Sequence, residues 1–350
     1  MADVVRVGVI GTGIGVAHVQ ALQEVPGAAV AAICSAQGAR AEEVAGRFGV
    51  PRATDDYRDL LGPGIDAVVI ATPPALHARM GLDAIAAGKH VLCEKPLAAS
   101  LAEARALRDA VHRAGVIHVV NFQLRFAAPY ARAAELARGG YLGRLAVADA
   151  RISINPVDYL RGPDWSPSKA AWFTDAAQAG GLLVGSAGPH LVDLLAWLGG
   201  RVEAVAARTA VTRPVVGPGD GGAAREVSAA DAFLGLLRYA GGGLATIRGV
   251  PVAYHGGGFA LELNGTEGTL VVEGGALRGA TAADEAPADI PLPSGAPRDR
   301  VAIAARFVEA IRAGGPAPAP NFEEGVAAQA VLDALAEAAR TGRWVAVGEG

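Results

Sequence analysis

Cysteine and net positive charge are both scarce in this chain, and each shortage excludes a class of protein. Cys34 and Cys93 are the only cysteines among 350 residues, which excludes a disulfide scaffold and a four-cysteine zinc site. The 31 Lys and Arg residues stand against 35 Asp and Glu residues, so the net charge is −4 and nucleic acid is not expected as a partner. The seven histidines leave a metal possible, but histidines and cysteines form no HxxxH or CxxC pattern, so no metal site is predicted.

Long hydrophobic runs are missing as well. No run reaches the roughly 18 apolar residues that a membrane-spanning helix needs, so we expect no membrane partner. The first apolar run, Val4–Ile10, is interrupted by Arg6 and does not follow a basic stretch, which is not typical of a secretory leader. Hydrophobic residues make up 51% of the chain and charged residues 19%, which excludes a disordered chain. Together these observations predict a cytoplasmic α/β protein of about two domains.

Short apolar strands alternate with amphipathic helices in the first third of the chain. Strands are predicted at Val4–Ile10, Ala28–Cys34, Asp66–Ala71, Lys89–Cys93 and Val116–Asn121, with a helix in each interval. This alternation is typical of a doubly wound parallel sheet that is covered by helices on both faces. We predict a first domain of this α/β class over residues 1–122.

The pattern changes after the first domain. Between Val202 and Val272 several strands follow one another through Gly-rich turns without helices between them, which predicts an open and mostly antiparallel sheet. Residues 280–298 are rich in Pro, Ala and Asp and predict a surface loop. Helices are predicted at 299–313 and 323–340. We assign 123–350 to a second α/β domain, with terminal helices that are expected to pack back on the first.

A glycine-rich turn follows the first predicted strand and precedes a predicted helix. Gly11 permits a tight turn, Gly13 lets the backbone approach a pyrophosphate, and the helix N-terminus offers N–H groups to the anion. The spacing departs from GxGxxG because Val16 occupies the position of the third glycine. An ordinary strand–helix turn is the alternative, but the place of the turn in a parallel sheet favours a dinucleotide site. The predicted cofactor-binding residues of this turn are Gly11, Thr12, Gly13 and Ile14.

The end of the second strand is the position that distinguishes NAD from NADP. Ser35 lies there, 22 residues after Gly13, where an Asp or Glu would bond the ribose hydroxyls and repel a 2′-phosphate. Ser35 can donate to a phosphate, and Arg40 is placed to fold over it. These residues favour NADP(H) over NAD(H) as the cofactor, and the alternative is that Arg40 is a solvated helix residue.

Several short motifs along the chain share one family resemblance. They are Ala71-Thr72-Pro73-Pro74 with His77, the run Ala86–Pro96, Asn121–Phe126, the segment holding Gly188, His190 and Asp193, and Thr341–Val345. The most specific of them is Glu94-Lys95-Pro96, directly after the fourth strand. On these motifs the chain resembles the Gfo/Idh/MocA oxidoreductases, named for glucose-fructose oxidoreductase and inositol dehydrogenase, over nearly its whole length.

The resemblance implies an N-terminal Rossmann domain and a C-terminal domain whose open sheet forms an oligomer interface, so a homodimer or homotetramer is expected. It also implies hydride transfer between an NAD(P) cofactor and the carbinol carbon of a sugar, cyclitol or related polyol. Two alternatives stay open. One is a lyase or glycosidase that retains its NAD(P) through each cycle, and the other is a nucleotide-binding regulator without catalysis.

Lys95 is the first predicted catalytic residue. It follows the carboxyl end of a strand, where open parallel sheets bind ligands, and it can hydrogen-bond the reacting oxygen. A lysine outside such a motif is more often a solvated surface residue. Glu94 is expected to hold the loop or the ribose, and Thr72 with Pro73 to line the cofactor crevice. His77 is counted with the cofactor-binding residues, although a structural role on its helix is the simpler interpretation.

His190 is the second predicted catalytic residue. Imidazole carries protons near neutral pH, which suits an acid/base role, whereas a helix-capping or core histidine is the alternative. The resemblance implies an Asp four residues before this histidine, but Ser186 stands there and supplies no charge. Asp193 shares a helix face with His190 and is interpreted as its structural partner.

The remaining predicted substrate residues include a local group of aromatics. Aromatic residues make up only 5% of the chain, yet Tyr159, Trp165 and Trp172 fall within one irregular stretch, 155–173. Aromatic rings stack on sugar C–H faces, and long loops are often functional, although a flap that merely packs is the alternative. Arg125 is added to the substrate group on its family position.

Overall fold

The computed structural model describes residues 4–153, 175–176, 185–212, 215–216, 225–250, 257–295 and 298–348. The chain divides into two compact units, the first built from Met1–Phe126 and Pro297–Gln329 and the second from Ala127–Ala296 and Ala330–Glu349. In the described residues no helix combines the length and apolar character that crossing a membrane would demand.

The helices follow one another along the chain in the order expected for an α/β protein. They are α1 (Gly15–Gln23), α2 (Gly38–Phe48), α3 (His77–Ala86), α4 (Leu101–Ala114), α5 (Ala128–Arg138), α6 (Gly188–Gly199), α7 (Asp299–Ala313) and α8 (Phe322–Thr341). α4 shows how local sequence sets their bounds. Ser100 accepts a hydrogen bond from the Glu103 N–H at its start, and Gly115 adopts a left-handed conformation at its end.

The first unit is organised around a six-stranded parallel sheet in the order β3-β2-β1-β4-β5-β6. The strands are β1 (Val5–Ile10), β2 (Ala28–Cys34), β3 (Ala53–Thr54), β4 (Ala67–Ile70), β5 (His90–Cys93) and β6 (His118–Val120). β4 is buried along its whole length, as expected for a strand covered on both faces. The predicted parallel sheet is therefore confirmed, and only the two-residue β3 was missed.

The hydrophobic core of the first unit contains residues from both ends of the chain. Phe307 and Val308 of α7 are fully buried in the same cluster as Val19 and Leu22 of α1 and Val7 of β1. Because α7 follows residues 127–296 of the second unit in the sequence, the first unit is completed by residues from the last part of the chain.

The second unit contains a nine-stranded sheet in the order β16-β15-β14-β13-β7-β12-β11-β8-β17, and all its strand pairs are antiparallel except β7 with β12. The strands are β7 (Leu145–Ser153), β8 (Val202–Ala210), β11 (Ala232–Tyr239), β12 (Leu244–Val250), β13 (Gly258–Gly265), β14 (Gly268–Glu273), β15 (Ala276–Thr281), β16 (Ala288–Asp289) and β17 (Val345–Ala346), while β9 (Val215–Val216) and β10 (Arg225–Glu226) pair separately. This mixed, mostly antiparallel sheet confirms the predicted fold class.

Buried and exposed side chains alternate along β11, so the second sheet has one buried face and one face open to solvent. Phe233 and Leu237 are buried, whereas Leu234 and Leu236 between them are exposed. Within the stretch 280–298, which was predicted as a surface loop, Ala288–Asp289 form the short exposed strand β16 and pair with β15. β15 and β16 are short and contain mostly small or polar residues. They therefore lack the run of large apolar residues from which a strand is predicted.

Candidate cofactor and catalytic site

The glycine turn after β1 has the geometry that a pyrophosphate requires. Gly11 has φ of 112°, and a β-carbon there would lie 2.3 Å from the Ala71 carbonyl oxygen, so no other residue fits. A β-carbon on Gly13 would have no atom within 4 Å, which leaves open space above the turn. α1 begins directly behind, with no side-chain cap and no acidic residue in its first turn. Its N-terminal N–H groups therefore suit an anion, and the turn fits a dinucleotide.

The departure from GxGxxG at Val16 has a structural explanation. Val16 is partly buried against the core of the first unit. The close approach between helix and strand is made instead at Gly15, where a β-carbon would come within 3.2 Å of Val9 Cγ1. Gly15 therefore fills the packing role of the third glycine one position early.

The residues predicted to contact the ribose lie together at the end of β2. Thr12 Oγ1 donates to Ser35 Oγ at 3.1 Å, and the Gln37 N–H donates to the same oxygen at 3.3 Å. Arg40 does not reach over Ser35, since its guanidinium Nη1 contacts both carboxylate oxygens of Glu43 at 2.6 Å. This ion pair is exposed on α2, so it is weak and can be exchanged for another anion.

Glu94, directly after β5, is buried and accepts hydrogen bonds from three sides. Its Oε1 accepts from His18 Nε2 at 2.9 Å and from Asn121 Nδ2 at 2.6 Å, and its Oε2 accepts from the Lys95 N–H at 3.2 Å. Burial alone would raise the pKa of Glu94, but the His18 hydrogen bond and the charges of Lys95 and Arg300 hold that pKa well below its usual range. Glu94 is therefore a carboxylate that positions its neighbours.

Asn121 contributes an oxygen to the same region. Its side chain is fully buried, and because Nδ2 donates to Glu94, Oδ1 must face the other way. Among the residues that the structure describes, this oxygen has no hydrogen-bond partner. A buried acceptor of this kind suits a donor group of a bound cofactor or substrate.

Lys95 is partly buried between Glu94 and Pro96, and the Lys95–Pro96 peptide bond is cis. Burial lowers the pKa of the Lys95 ammonium from its ordinary value, and the charge of Arg300 lowers it further, while Glu94 opposes the change. A lysine with a lowered pKa exchanges protons more readily near neutral pH, which is the property that a catalytic acid or base needs.

His77, at the start of α3, is fully buried and joins two backbone segments of the site. Its Nδ1 lies 2.8 Å from the Pro96 carbonyl oxygen and its Nε2 lies 2.8 Å from the Thr72 carbonyl oxygen. Burial lowers the pKa of this imidazole, so the neutral ring has one N–H and donates to one of the two carbonyl oxygens at a time. Its contacts are those of a residue that holds the turn of Thr72 and the exposed Pro73 against the Lys95 loop.

His18 and Asn121 both contact Glu94 in the candidate site, and neither was predicted as a site residue from the sequence. His18 follows Ile14 by one helical turn and so belongs to the inner face of α1, a position that sequence periodicity assigns to the core. Asn121 directly follows the buried strand β6, and polar residues at strand ends are common. The sequence did carry one signal. Both are polar residues in otherwise apolar, buried segments, and both stand beside motif positions.

The second unit holds the other predicted catalytic residue. His190 is buried near the start of α6, and its ring meets the Phe259 ring edge-on with centroids 5.8 Å apart. Ser186 is partly buried one turn before it, and Asp193 is buried one turn after it. These three residues thus lie along one short segment, with no carboxylate at the Ser186 position.

The remaining predicted substrate residues divide into two groups. Arg125 is buried, its Nη1 pairs with the Glu324 carboxylate, and its guanidinium lies 5.9 Å from the centre of the Phe122 ring. Its substrate role stays a prediction, although its charge is already neutralised within the first unit. Tyr159, Trp165 and Trp172 lie outside the described residues. No group of three or more His, Cys, Asp or Glu suited to a metal ion occurs in the part of the chain that the structure describes.

Comparison with protein families covers both units. A family model described as an oxidoreductase family with an NAD-binding Rossmann fold matches residues 5–122, and one described as the GFO/IDH/MocA C-terminal domain matches residues 130–271. The chain belongs to the Gfo/Idh/MocA family. It is therefore an oxidoreductase with an NAD-binding Rossmann fold, as the motif around Lys95 predicted.

Family members of known activity resemble the chain over different lengths. Levoglucosan dehydrogenase of Pseudarthrobacter phenanthrenivorans is 30% identical over 90% of this chain and 88% of its own. A structure of a levoglucosan dehydrogenase in complex with NADH and levoglucosan superposes with a TM-score of 0.89, at 27% identity, over 99% of this chain and 100% of that chain.

Two further relatives match less than half of the chain. The scyllo-inositol 2-dehydrogenase (NAD(+)) of Bacillus subtilis is 39% identical over 41% of this chain and 43% of its own. The D-xylose 1-dehydrogenase (NADP(+)) 2 of Haloferax volcanii is 44% identical over 37% of this chain and 40% of its own. Relatives that use either nicotinamide cofactor thus share this family.

Proposed function

We propose that the chain catalyses hydride transfer between a nicotinamide cofactor and the carbinol carbon of a sugar, cyclitol or related polyol. The observation that carries the proposal is the setting of Lys95, a partly buried lysine of lowered pKa at the carboxyl edge of the parallel sheet. The relatives named for levoglucosan, scyllo-inositol and xylose support the class of substrate.

Each residue of the candidate site has a separate role in the proposed reaction. Bound nicotinamide supplies the hydride acceptor or donor at C4. Gly11, Gly13 and the start of α1 hold its pyrophosphate, and Lys95 hydrogen-bonds the reacting oxygen and stabilises the developing alkoxide. His190 carries the proton, and Ser186 offers the substrate a neutral hydrogen-bonding group in place of a carboxylate.

The cofactor preference that we propose is NADP(H) over NAD(H). Ser35 leaves the ribose position without a carboxylate, and its hydroxyl is held in place by Thr12 and Gln37. Arg40 is close in sequence, and its partner among the described residues is the exposed Glu43, so a 2′-phosphate can compete for it. The relative named for NADP(+) supports this choice, whereas the relatives named with NADH or NAD(+) support the other.

We further propose that the chain forms a homodimer or homotetramer through the open face of its nine-stranded sheet. Leu234 and Leu236 of β11 are 62% and 50% exposed, and Leu244 of β12 and Val147 of β7 are exposed on the same face. A patch of large apolar side chains is typical of a protein interface. The cytoplasmic location stays a prediction.

The test of the proposed reaction is a pair of matched lysine variants. Lys95→Ala should lower kcat by about 10²- to 10⁴-fold, the range of a lost acid/base group, while the Kd for NAD(P)H changes little. Lys89→Ala is the control, because the Lys89 ammonium donates to the Gly62 and Ile65 carbonyls away from the cofactor turn. Undiminished kcat in Lys95→Ala would remove the proposed mechanism.

The substrate class is tested with a panel of levoglucosan, inositols and aldoses, followed by NAD(P)H absorbance and by product analysis. Net change of NAD(P)H with a polyol supports the dehydrogenase. Product without net change of NAD(P)H indicates instead a lyase or glycosidase that retains its cofactor. Tight cofactor binding without any product indicates a regulator, the alternative that the neutral Ser186 favours.

A further inference from the structure

Both neighbours of Lys95 in the sequence are held by buried histidines. Glu94 on one side accepts a hydrogen bond from His18 at 2.9 Å, and Pro96 on the other side presents its carbonyl oxygen to His77 at 2.8 Å. His18 is 1% exposed and His77 is 0% exposed, so neither ring has contact with solvent. Two histidines from different helices therefore converge on one three-residue turn.

Each histidine also lies beside one of the two turns of the candidate cofactor site. His18 lies on the first turn of α1, directly behind the glycine turn that fits the pyrophosphate. His77 has its second ring nitrogen 2.8 Å from the carbonyl oxygen of Thr72, in the turn after β4. Displacement of either turn is thus transmitted through one side chain to a neighbour of Lys95.

We propose that His18 and His77 are positioning residues for Lys95, a pair that we name the histidine clamp, and that the clamp aligns the lysine with the bound cofactor. This inference rests on the proposed role of Lys95 and adds to it two residues that do not touch the reacting atoms. Glu94 is the link on the His18 side, and Asn121 completes its hydrogen bonding from β6 at 2.6 Å.

The electrostatic setting explains why the His18 link cannot be lost without effect. Glu94 is ionised and buried, and the groups that face it are His18, Lys95, Arg300 and, more weakly, His77. A buried carboxylate that loses a donor is either protonated or drawn towards the remaining positive groups. In both cases the Lys95 N–H that donates to Glu94 is displaced with it.

The experiment compares two replacements of His18 in the full chain. His18→Gln keeps an N–H donor at about the reach of Nε2, whereas His18→Leu keeps bulk and removes the donor. We expect His18→Leu to lower kcat by about 10- to 100-fold, as for a displaced catalytic group, with little change in the Kd of NAD(P)H, and His18→Gln to recover most of the rate. If His18→Leu does not fold, His18→Asn replaces it, because its amide is too short to reach Glu94.

A second measurement needs neither cofactor nor turnover. The chain has only three lysines, Lys89, Lys95 and Lys169, so acetylation of each by acetic anhydride can be followed by mass spectrometry as a function of pH. In the apoprotein the Lys95 reactivity should rise at a pH below the ordinary lysine value of 10.5, because burial lowers its pKa. In His18→Leu this rise should shift, to lower pH where Glu94 becomes protonated and towards 10.5 where the Glu94 carboxylate moves to Lys95. In His18→Gln the wild-type profile should return, with Lys89 as the internal reference.

The control for simple loss of stability is His118→Leu. His118 is a buried histidine of the same unit, but it accepts the Phe322 N–H and has no part in the Lys95 turn. The clamp is overturned if His18→Leu loses melting temperature like His118→Leu while keeping kcat and the Lys95 acetylation profile. It is also overturned if His18→Gln is as impaired as His18→Leu, since the hydrogen bond is then not what matters.

The test separates the clamp from the proposed reaction. If Lys95→Ala keeps full activity, the reaction mechanism fails whatever the His18 variants do. If Lys95→Ala is inactive and the His18 variants behave like wild type, the mechanism stands and the clamp alone fails. His77→Leu provides the parallel measurement on the Pro96 side, with the same loss of kcat expected.

Discussion

Thr12 donates its hydroxyl to the Ser35 hydroxyl across 3.1 Å, which joins the glycine turn to the end of β2. The Gln37 N–H fixes the same oxygen from the other side at 3.3 Å. The place where a carboxylate would accept the ribose hydroxyls is thus occupied by a small neutral group whose position is set before any cofactor binds. This relationship makes the cofactor preference open to a direct test.

Replacement of Ser35 by Asp should change the cofactor preference. The new carboxylate would accept ribose hydroxyls and repel a 2′-phosphate, so the Kd for NADPH should rise by about tenfold or more relative to that for NADH. Fluorescence titration of both reduced cofactors measures this ratio, and Ser35→Ala controls for loss of the hydroxyl alone. Tighter binding of NADH than NADPH by the wild-type chain would refute the proposed preference itself.

The pH dependence of catalysis should reflect the deprotonation of the Lys95 ammonium. Burial lowers the pKa of its ammonium below the ordinary 10.5, so the alkaline limb of kcat/KM that belongs to Lys95 should lie below pH 10.5. In Lys95→Arg this limb should disappear from the accessible range, because arginine does not deprotonate there. A limb that persists unchanged in Lys95→Arg must be assigned to another group.

Stability of the first unit should fall in mild acid because of His118. Burial, with a smaller contribution from His112, lowers the pKa of His118 from 6.5 to about 4, so the folded protein favours the neutral ring. The resulting stability is fully present above pH 6.5 and is lost as the pH falls towards 4, by about 3 kcal/mol at most.

A variant at His118 isolates this contribution. In His118→Asn the side-chain oxygen can still accept the Phe322 N–H, but it does not titrate. Urea unfolding at several pH values should therefore show a smaller decrease in the free energy of unfolding between pH 6.5 and 4 than in wild type. Equal decreases in both proteins would mean that His118 is not the source.

The open face of the second sheet should control assembly. Leu236→Lys places a charge in the centre of the proposed interface, so sedimentation velocity should show a shift to monomer at micromolar concentration. Val4→Lys is the matched control, because Val4 is similarly exposed at 52% but lies in the first unit. A wild-type chain that sediments as a monomer would contradict the proposed oligomer.

The parallel sheet of the first unit was predictable because its strands are buried on both faces. Burial along Ala67–Ile70 does not alternate, and continuous apolar runs of this kind stand out from the helices between them. The short strands β3 and β16 were not predictable, since two residues carry no periodicity. Their pairing is decided by neighbouring strands in the folded sheet.

The candidate site was predictable only where a motif marks it. Lys95 and the glycine turn stand out by residue type and spacing, and the structure places both at the carboxyl edge of one sheet. His18 gave no such signal, because its contact with Glu94 joins residues that are 76 positions apart. Arg125 shows the converse, since its motif position did not indicate that Glu324, 199 positions away, pairs with its charge.

Completion of the first unit by α7 has a consequence for synthesis of the chain on the ribosome. The core surface that Phe307 and Val308 cover on Val19 and Leu22 stays open to water until residues beyond 308 have left the exit tunnel. The dinucleotide-binding unit is thus translated first but completed only after residues 127–296 of the second unit have been made. During that interval the nascent polypeptide exposes this apolar surface, to which chaperones can bind.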